Sequence, residues 1–306
     1  MSDPIEETAM SIKRLKVQGA RNVAIAAIKA IQELAKETEA KDRNGFFTEL
    51  LEAQEILFSS RETEPLMRNA VRWITNLVEK SDREKVEELA EIVFSASQQF
   101  HETLEGSKEK IAEIGARRIK NDSVVFTHCH SSTVTHLLRR AKLEGRSFEV
   151  ICTESRPVFQ GRMTVKEMLA LDVKTTLIVD SATRFFVNKA DLVLVGADAI
   201  TSEGNVINKI GTSMIALAAH EARAPFYVVT ELLKFDPTTM YGSFEKIEER
   251  STDEIWKGPP RDLIIRNPAF DVTRRDFIHG IICEEGIISP HSIIEVINRR
   301  YPWVLE

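Results

Sequence analysis

Four polar clusters hold the side chains capable of chemistry in this chain of 306 residues, each where an apolar, β-branched run gives out. They are Thr127-His128-Cys129-His130, the stretch Glu154-Ser155-Arg156-Pro157 with Gln160-Gly161, then Gly196-Ala197-Asp198, and Asn208-Lys209-Ile210-Gly211-Thr212. In an open α/β sheet, ligands bind in the crevice beyond the carboxyl ends of the parallel strands. A thiol, a carboxylate, an amide and several cations are therefore expected to converge on one pocket. That inventory suits proton transfer on an anionic substrate.

Each cluster also has a plainer reading. A cysteine after an apolar strand is often a small buried hydrophobe. Cys129, however, is flanked by two histidines and followed by Ser131-Ser132-Thr133, which opens the next helix. Near a helix N-terminus a thiol pKa falls below about 8.5, which would make a thiolate base or nucleophile. The hydroxyls and free amides of that helix start suit a phosphate. A metal site competes, but neighbouring strand residues point to opposite faces and no second Cys/His pair has zinc spacing. Asp198 reads either as a turn aspartate or as a carboxyl of raised pKa acting as general acid. Lys209 sits where a helix dipole disfavours cations, which makes sense if an anion binds there; otherwise it is a solvated lysine. Lys234 and Arg61 are weak signals taken singly. The segment Gln18-Gly19-Ala20-Arg21 interrupts a helical pattern, either as a tolerated defect or where backbone amides face a ligand.

The elements that must position these residues fall into two textures. Residues 5–115 read as helical, with apolar side chains at three- and four-residue steps such as Val23, Ala27, Ile31 and Leu34. Ser81-Asp82-Arg83-Glu84 looks like a capped helix start. From about Asn121, short runs alternate with helix-like stretches: Val124–Phe126, Phe148–Cys152, Thr176–Val179, Leu192–Val195 and Phe226–Val229. Such alternation predicts an α/β chain with a mainly parallel, Rossmann-like sheet after a helical N-terminal domain, divided as 1–118 and 119–306. Thr201–Asn205 reads as a hairpin turn, and a long loop is expected from about 236 to 262.

Composition narrows the classes. With 43% apolar and 29% charged residues the chain is globular, and its net charge of −6 argues against a nucleic-acid or membrane surface. No apolar run reaches the roughly 18–20 residues that span a bilayer, and no signal peptide is evident. Three cysteines at wide spacing make no disulfide framework, so a cytoplasmic setting is expected. There is no Walker loop, no G-x-G-x-x-G after a strand, no H-E-x-x-H and no G-x-S-x-G, which leaves nucleotide hydrolysis, nicotinamide redox and serine hydrolysis without support.

In this order the clusters resemble the family of methylthioribose-1-phosphate isomerase, archaeal ribose-1,5-bisphosphate isomerase and the regulatory subunits of translation initiation factor 2B. The most specific parts are E-S-R-P-x-x-Q-G from Glu154 to Gly161, G-A-D-A-I from Gly196 to Ile200, and N-K-I-G-T from Asn208 to Thr212. T-H-C-H with G-A-D most resembles the ribose-1,5-bisphosphate branch. The resemblance implies Cys129 as proton acceptor and Asp198 as proton donor. It implies one phosphate at Gly19, Ala20, Arg21 and Arg61, and contacts from Ser131, Ser132 and Thr133. Asn208, Lys209 and Lys234 would hold the sugar and the other phosphate, and Gln160 matches a substrate-contacting glutamine of the methylthioribose branch. Gln18 departs from the family's usual arginine, so either Arg21 compensates or that phosphate site is weaker.

What the resemblance implies chemically is an aldose–ketose isomerase that makes ribulose 1,5-bisphosphate for nucleoside-monophosphate (AMP) salvage, with no redox cofactor and no metal. It implies a homo-oligomer, a dimer or a hexamer built from dimers. Two rivals stand beside it. A regulatory subunit would need neither Cys129 nor Asp198, and a methylthioribose 1-phosphate enzyme would need fewer cations than Arg21, Arg61, Lys209 and Lys234 supply.

Overall fold

The computed structural model describes residues 4–61, 63–243 and 246–305. The chain divides into two compact units, one reaching to Gly106 and including Tyr301 onward, the other Ser107–Arg300. The first is helical: α1 (Pro4–Lys13), α2 (Ala20–Glu37), α3 (Arg43–Ser60), α4 (Pro65–Glu79) and the start of α5 (Val86–Ala116). Its core follows the helical spacing, with Ile5, Ile12, Val23, Ala27, Ile31, Phe46, Leu50 and Ile74 all buried. Local signals set the ends. Asp42 caps α3 by accepting from the Gly45 amide at 2.9 Å, and Pro65 opens α4. The helix expected from Ser81 begins instead at Val86. Arg43 donates to the carbonyls of Glu79 at 2.7 Å and Ser81 at 2.5 Å, drawing that stretch into a connector after α4.

The second unit alternates strand and helix. Its elements are β1 (Ser123–Thr127), α6 (Ser132–Leu143), β2 (Phe148–Thr153), α7 (Gly161–Ala170), β3 (Lys174–Ile178), α8 (Thr183–Phe186) and β4 (Leu192–Val195). Then come β5 (Ala199–Ile200), β6 (Val206–Lys209), α9 (Thr212–Ala222), β7 (Phe226–Val229), β8 (Phe270–Thr273), β9 (Gly280–Cys283), β10 (Gly286–Ile288) and α10 (Ile293–Arg300). The main sheet has seven strands in the order β10-β9-β7-β4-β1-β2-β3, parallel throughout except for β10. The α/β class, the helical start and the mainly parallel sheet are as the alternation predicts. β5, β6 and β8 form a separate antiparallel sheet, with the expected hairpin turn at Thr201–Asn205 joining the first two.

Strand order places the chemistry. The chain winds from β1 outward to β2 and β3, then returns to lay β4 on the other side of β1, in register Thr127↔Leu194. The order reverses there, so the segments after β1 and β4 diverge at one crevice. Behind the sheet, Val134, Leu137 and Leu138 of α6 pack with Ile111, Ala112 and Ala116 of α5 and with Val125, Val150 and Leu194 of the strands.

Close backbone approach fixes the loop after β2. A Cβ on Gly161 would lie 1.8 Å from the Thr153 carbonyl oxygen, so only glycine lets α7 start so near the end of β2. Gly161→Ala is therefore expected to destabilise the protein by about 1–3 kcal/mol or more, read as a lower urea midpoint at unchanged slope.

Candidate functional site

Cys129 lies two residues past β1 with φ 64°, in the left-handed region that a cysteine rarely adopts. Such strain costs on the order of 1–3 kcal/mol and persists only where neighbours over-determine it. They do so here. The Cys129 amide donates to Ser155 Oγ at 2.8 Å, and Thr164 Oγ1 donates to the Cys129 carbonyl at 2.8 Å. Ser155 is itself left-handed, at φ 61°, and Asp180 grips that loop by accepting from the Ser155 amide at 2.8 Å and the Arg156 amide at 2.7 Å. The thiol reaches Gln160 Oε1 at 3.6 Å, which places that predicted residue beside it.

The other clusters meet the same end of the sheet. Gly196 follows β4 so closely against the start of α6 that a Cβ would sit 2.7 Å from Ser131 Oγ and 4.0 Å from Asn208 Oδ1. Ser131 caps α6, its Oγ accepting from the Val134 amide at 3.4 Å, and Ser132 is exposed while Thr133 is buried. Half-buried Asp198 makes no side-chain hydrogen bond or ion pair to a described residue, and its charge is felt at Cys129. Asn208 donates to Thr212 Oγ1 at 3.0 Å. The structure thus brings Cys129, Ser131, Gln160, Asp198, Asn208 and Lys209 together.

Lys209 is the least expected member. It is 5% exposed, not solvated, and its ammonium has no hydrogen-bond or ion-pair partner among the described residues, lying 5.0 Å from the centre of the Phe270 ring. A buried cation without a carboxylate is costly, and an anionic ligand would relieve it. The helix behind it cannot supply that anion site. Asp271 on β8 accepts from the Gly211 amide at 2.7 Å and the Ser213 amide at 3.1 Å, so a carboxylate of the protein already occupies the N-terminus of α9. At α6 the amides of Ser132 and Thr133 have no partner among the described residues.

Electrostatics correct one expectation. Burial pushes the Cys129 thiol up to about 11, overriding the Lys209 ammonium and the His130 backbone, which pull it down; Asp198 and Asp180 push it further up. The resting group is a neutral thiol, because desolvation outweighs the nearby helix start. His128 is also neutral, lowered to about 4 mainly by burial.

Other predicted residues sit differently. Lys234, 5% exposed, donates to the Ala197 carbonyl at 2.8 Å and lies 3.3 Å from the fully buried Glu231, which also accepts from Thr133 Oγ1 at 3.2 Å. It ties the loop bearing Asp198 to the start of α6. In the helical unit, Gly19 precedes α2 with φ 83°, Ala20 is its first residue, and buried Arg21 pairs with Glu105 and donates to the Leu104 carbonyl at 2.9 Å. Arg61 lies 3.2 Å from the buried Glu64. Both cations are thus already engaged by carboxylates. Sequence reasoning missed Asp180, Asp271 and Glu231, each an acid just past or within a short strand or loop, where a lone carboxylate gives no periodic signal. Among the described residues no group of three or more His, Cys, Asp or Glu could hold a metal, and no helix is long and apolar enough to cross a membrane.

Residues 16–290 match the Initiation factor 2 subunit family. The chain is 42% identical over 303 residues to a ribose 1,5-bisphosphate isomerase of Archaeoglobus fulgidus, covering 97% of this chain and 94% of that one. It is 39% identical over 305 residues to a protein of the same name from Methanocaldococcus jannaschii, covering 99% and 97%. Its fold is similar to that of Pyrococcus horikoshii OT3 translation initiation factor eIF-2B, with a TM-score of 0.82 at 32% identity over 95% of this chain and 98% of that one.

Burial raises Asp271 from 3.8 to about 6. Folded chain thus binds this proton more tightly than unfolded chain, so the contribution is fully present below 3.8 and is lost as pH rises through about 6. Asp271→Asn removes that slope. Urea midpoints measured on both proteins from neutral to acid pH are expected to show the parent gaining on the variant through about 6.

Proposed function

Because the chain belongs to the Initiation factor 2 subunit family, we propose that it is a sugar-phosphate isomerase converting ribose 1,5-bisphosphate to ribulose 1,5-bisphosphate. The observation that carries this reading is the meeting of Cys129 after β1 and Asp198 after the adjacent β4 with the Lys209 ammonium at the end of β6, which has no partner among the described residues. The names of relatives more than a third identical over almost their whole length support the same substrate.

The chemistry follows from two proton carriers. Asp198 gives a proton to the ring oxygen as the bond from C1 to that oxygen breaks, and the ester oxygen of the C1 phosphate shares the charge left on C1. Cys129, as thiolate, takes the C2 proton, leaving an enol across C1 and C2. The C2 hydroxyl then returns a proton to Asp198, and the Cys129 thiol protonates C1, so both groups end as they began. Lys209 supplies the positive field that makes the thiolate accessible from a neutral resting thiol. The amides of Ser132 and Thr133, without a partner among the described residues, are suited to one phosphate. Gln160, Asn208 and Ser131 are positioned to bind sugar hydroxyls, while Lys234 acts by holding the Ala197 carbonyl. In the helical unit we assign a phosphate contact to the backbone at Gly19 and Ala20 beside Arg21, which Glu105 holds, while Arg61 is held by Glu64.

On this reading the product feeds a carboxylase in nucleoside-monophosphate salvage, in the cytoplasm. The protein acts as a homo-oligomer, a dimer or a hexamer of dimers. Exposed Phe185 on α8 and Met214 and Leu217 on α9, helices that pack on each other, support such an assembly.

A coupled assay with ribose 1,5-bisphosphate tests the assignment, run beside methylthioribose 1-phosphate. Cys129→Ser and Asp198→Asn are each expected to lower kcat by about 10²–10⁴-fold; a Cys129→Ser enzyme at full rate would sink the mechanism. Since burial holds the thiol up at about 11, iodoacetamide alkylation of Cys129 should quicken as pH rises from neutral, by about tenfold per unit while thiolate is limiting. Lys209→Gln should lower kcat and push that alkylation profile to higher pH.

A further inference from the structure

His128 joins two loops that carry the reacting groups. Its Nδ1 lies 2.5 Å from Thr153 Oγ1 at the end of β2, and its Nε2 lies 2.9 Å from the Ile210 carbonyl, one residue past Lys209. A carbonyl only accepts, so Nε2 carries the proton and Nδ1 accepts from the Thr153 hydroxyl. Both ring nitrogens are therefore committed and neither faces a substrate. The fit is close, since a Cβ on Gly211 would stand 3.2 Å from the ring, and the residue is 2% exposed. Next along the chain is Cys129, and on the far side of the Ile210 carbonyl is the peptide that follows Lys209.

We propose that His128 is a positioning residue: its neutral imidazole fastens the Lys209 loop to the Cys129 loop and so holds the ammonium where its field acts on the thiol. The proposal rests on the isomerase reading for its catalytic consequence, though not for its effect on the thiol. Chemistry of the ring explains why histidine serves here. One rigid plane offers a donor and an acceptor on opposite edges without carrying charge, and charge would matter. An imidazolium beside Lys209 would be disfavoured, and burial together with that cation keeps the ring neutral against the pull of the Ile210 carbonyl and Asp180. The groups whose charge bears on Cys129 are Lys209 of β6, Asp198 after β4 and Asp180 after β3, with the His130 backbone. Of these, only Lys209 is a cation, so its displacement would leave the thiol facing two carboxylates alone.

Two substitutions separate this role from mere packing. His128→Gln keeps an N–H donor at the reach of Nε2, whereas His128→Asn keeps an acceptor for Thr153 and loses the bond to Ile210. Iodoacetamide alkylation of Cys129, followed from neutral to alkaline pH with Cys129→Ser as blank, reads the thiol without reference to turnover. In His128→Asn the alkylation profile is expected to move up by on the order of one pH unit, and kcat to fall about 100-fold. His128→Gln should recover most of both. An alkylation profile in His128→Asn that superposes on the parent, or a His128→Gln profile displaced as far as that of His128→Asn, overturns the proposal. Should His128→Asn fail to fold by circular dichroism, His128→Ser, which also loses the bond to Ile210, is read in its place, with an upward shift expected and an unchanged profile fatal. If the parent does not turn over ribose 1,5-bisphosphate, the isomerase reading falls while the alkylation profiles still decide the role of His128.

Discussion

Parallel pairing of β1 with β4 is the constraint on which the site depends. The two strands are distant in sequence, yet their register sets Thr127 beside Leu194, and so brings the residues after each strand to one end of the sheet. No side chain needs to reach far. Cys129 is two residues from its strand and Asp198 three from its own, short tethers that leave little freedom. The hydrogen bonds of Ser155 and Thr164 to the Cys129 backbone remove most of what is left. Strain at Cys129 is tolerated because the sheet supplies the rigid frame against which it is held.

Charge is arranged around that frame with one deliberate imbalance. Buried Lys234 is matched by Glu231. Lys209 instead rests over the face of Phe270, with no carboxylate partner among the described residues. The two helix starts nearby are likewise unequal. Asp271 fills the N-terminus of α9, while the amides at the start of α6 are left for something else. An uncompensated cation and an open helix start at one place favour an anion, and the acidic balance of the whole chain does not weaken a field so local.

Much of this was legible in residue order. β-branched runs alternating with amphipathic stretches announced the parallel sheet, and the polar clusters at their ends announced Cys129, Asp198, Asn208 and Lys209 as neighbours. Strands β8, β9 and β10 escaped notice: Phe270–Thr273 mixes an acid among apolar residues, and β9 and β10 each begin on a glycine and offer only two or three apolar residues. Asp271 and Asp180 were invisible for a related reason: each acts on backbone amides of a loop remote in sequence, and an amide leaves no trace in residue type. The thiol's protonation state was misjudged because a helix start can be seen in sequence and the depth of burial cannot. Lys234 shows the same limit. The resemblance implied a ligand contact for it, whereas its partners are a carbonyl and a buried carboxylate of the protein itself.

Keeping the sulfur of Cys129 protonated and 8% exposed has a consequence for the durability of the molecule. Peroxide attacks thiolates, and the slide from sulfenic to sulfonic acid begins only from that form. At this sulfur an idle copy of the chain therefore presents almost nothing to oxidants at neutral pH. Its most valuable atom becomes vulnerable only during the brief interval in which it is deprotonated, when a ligand would stand between it and the solvent.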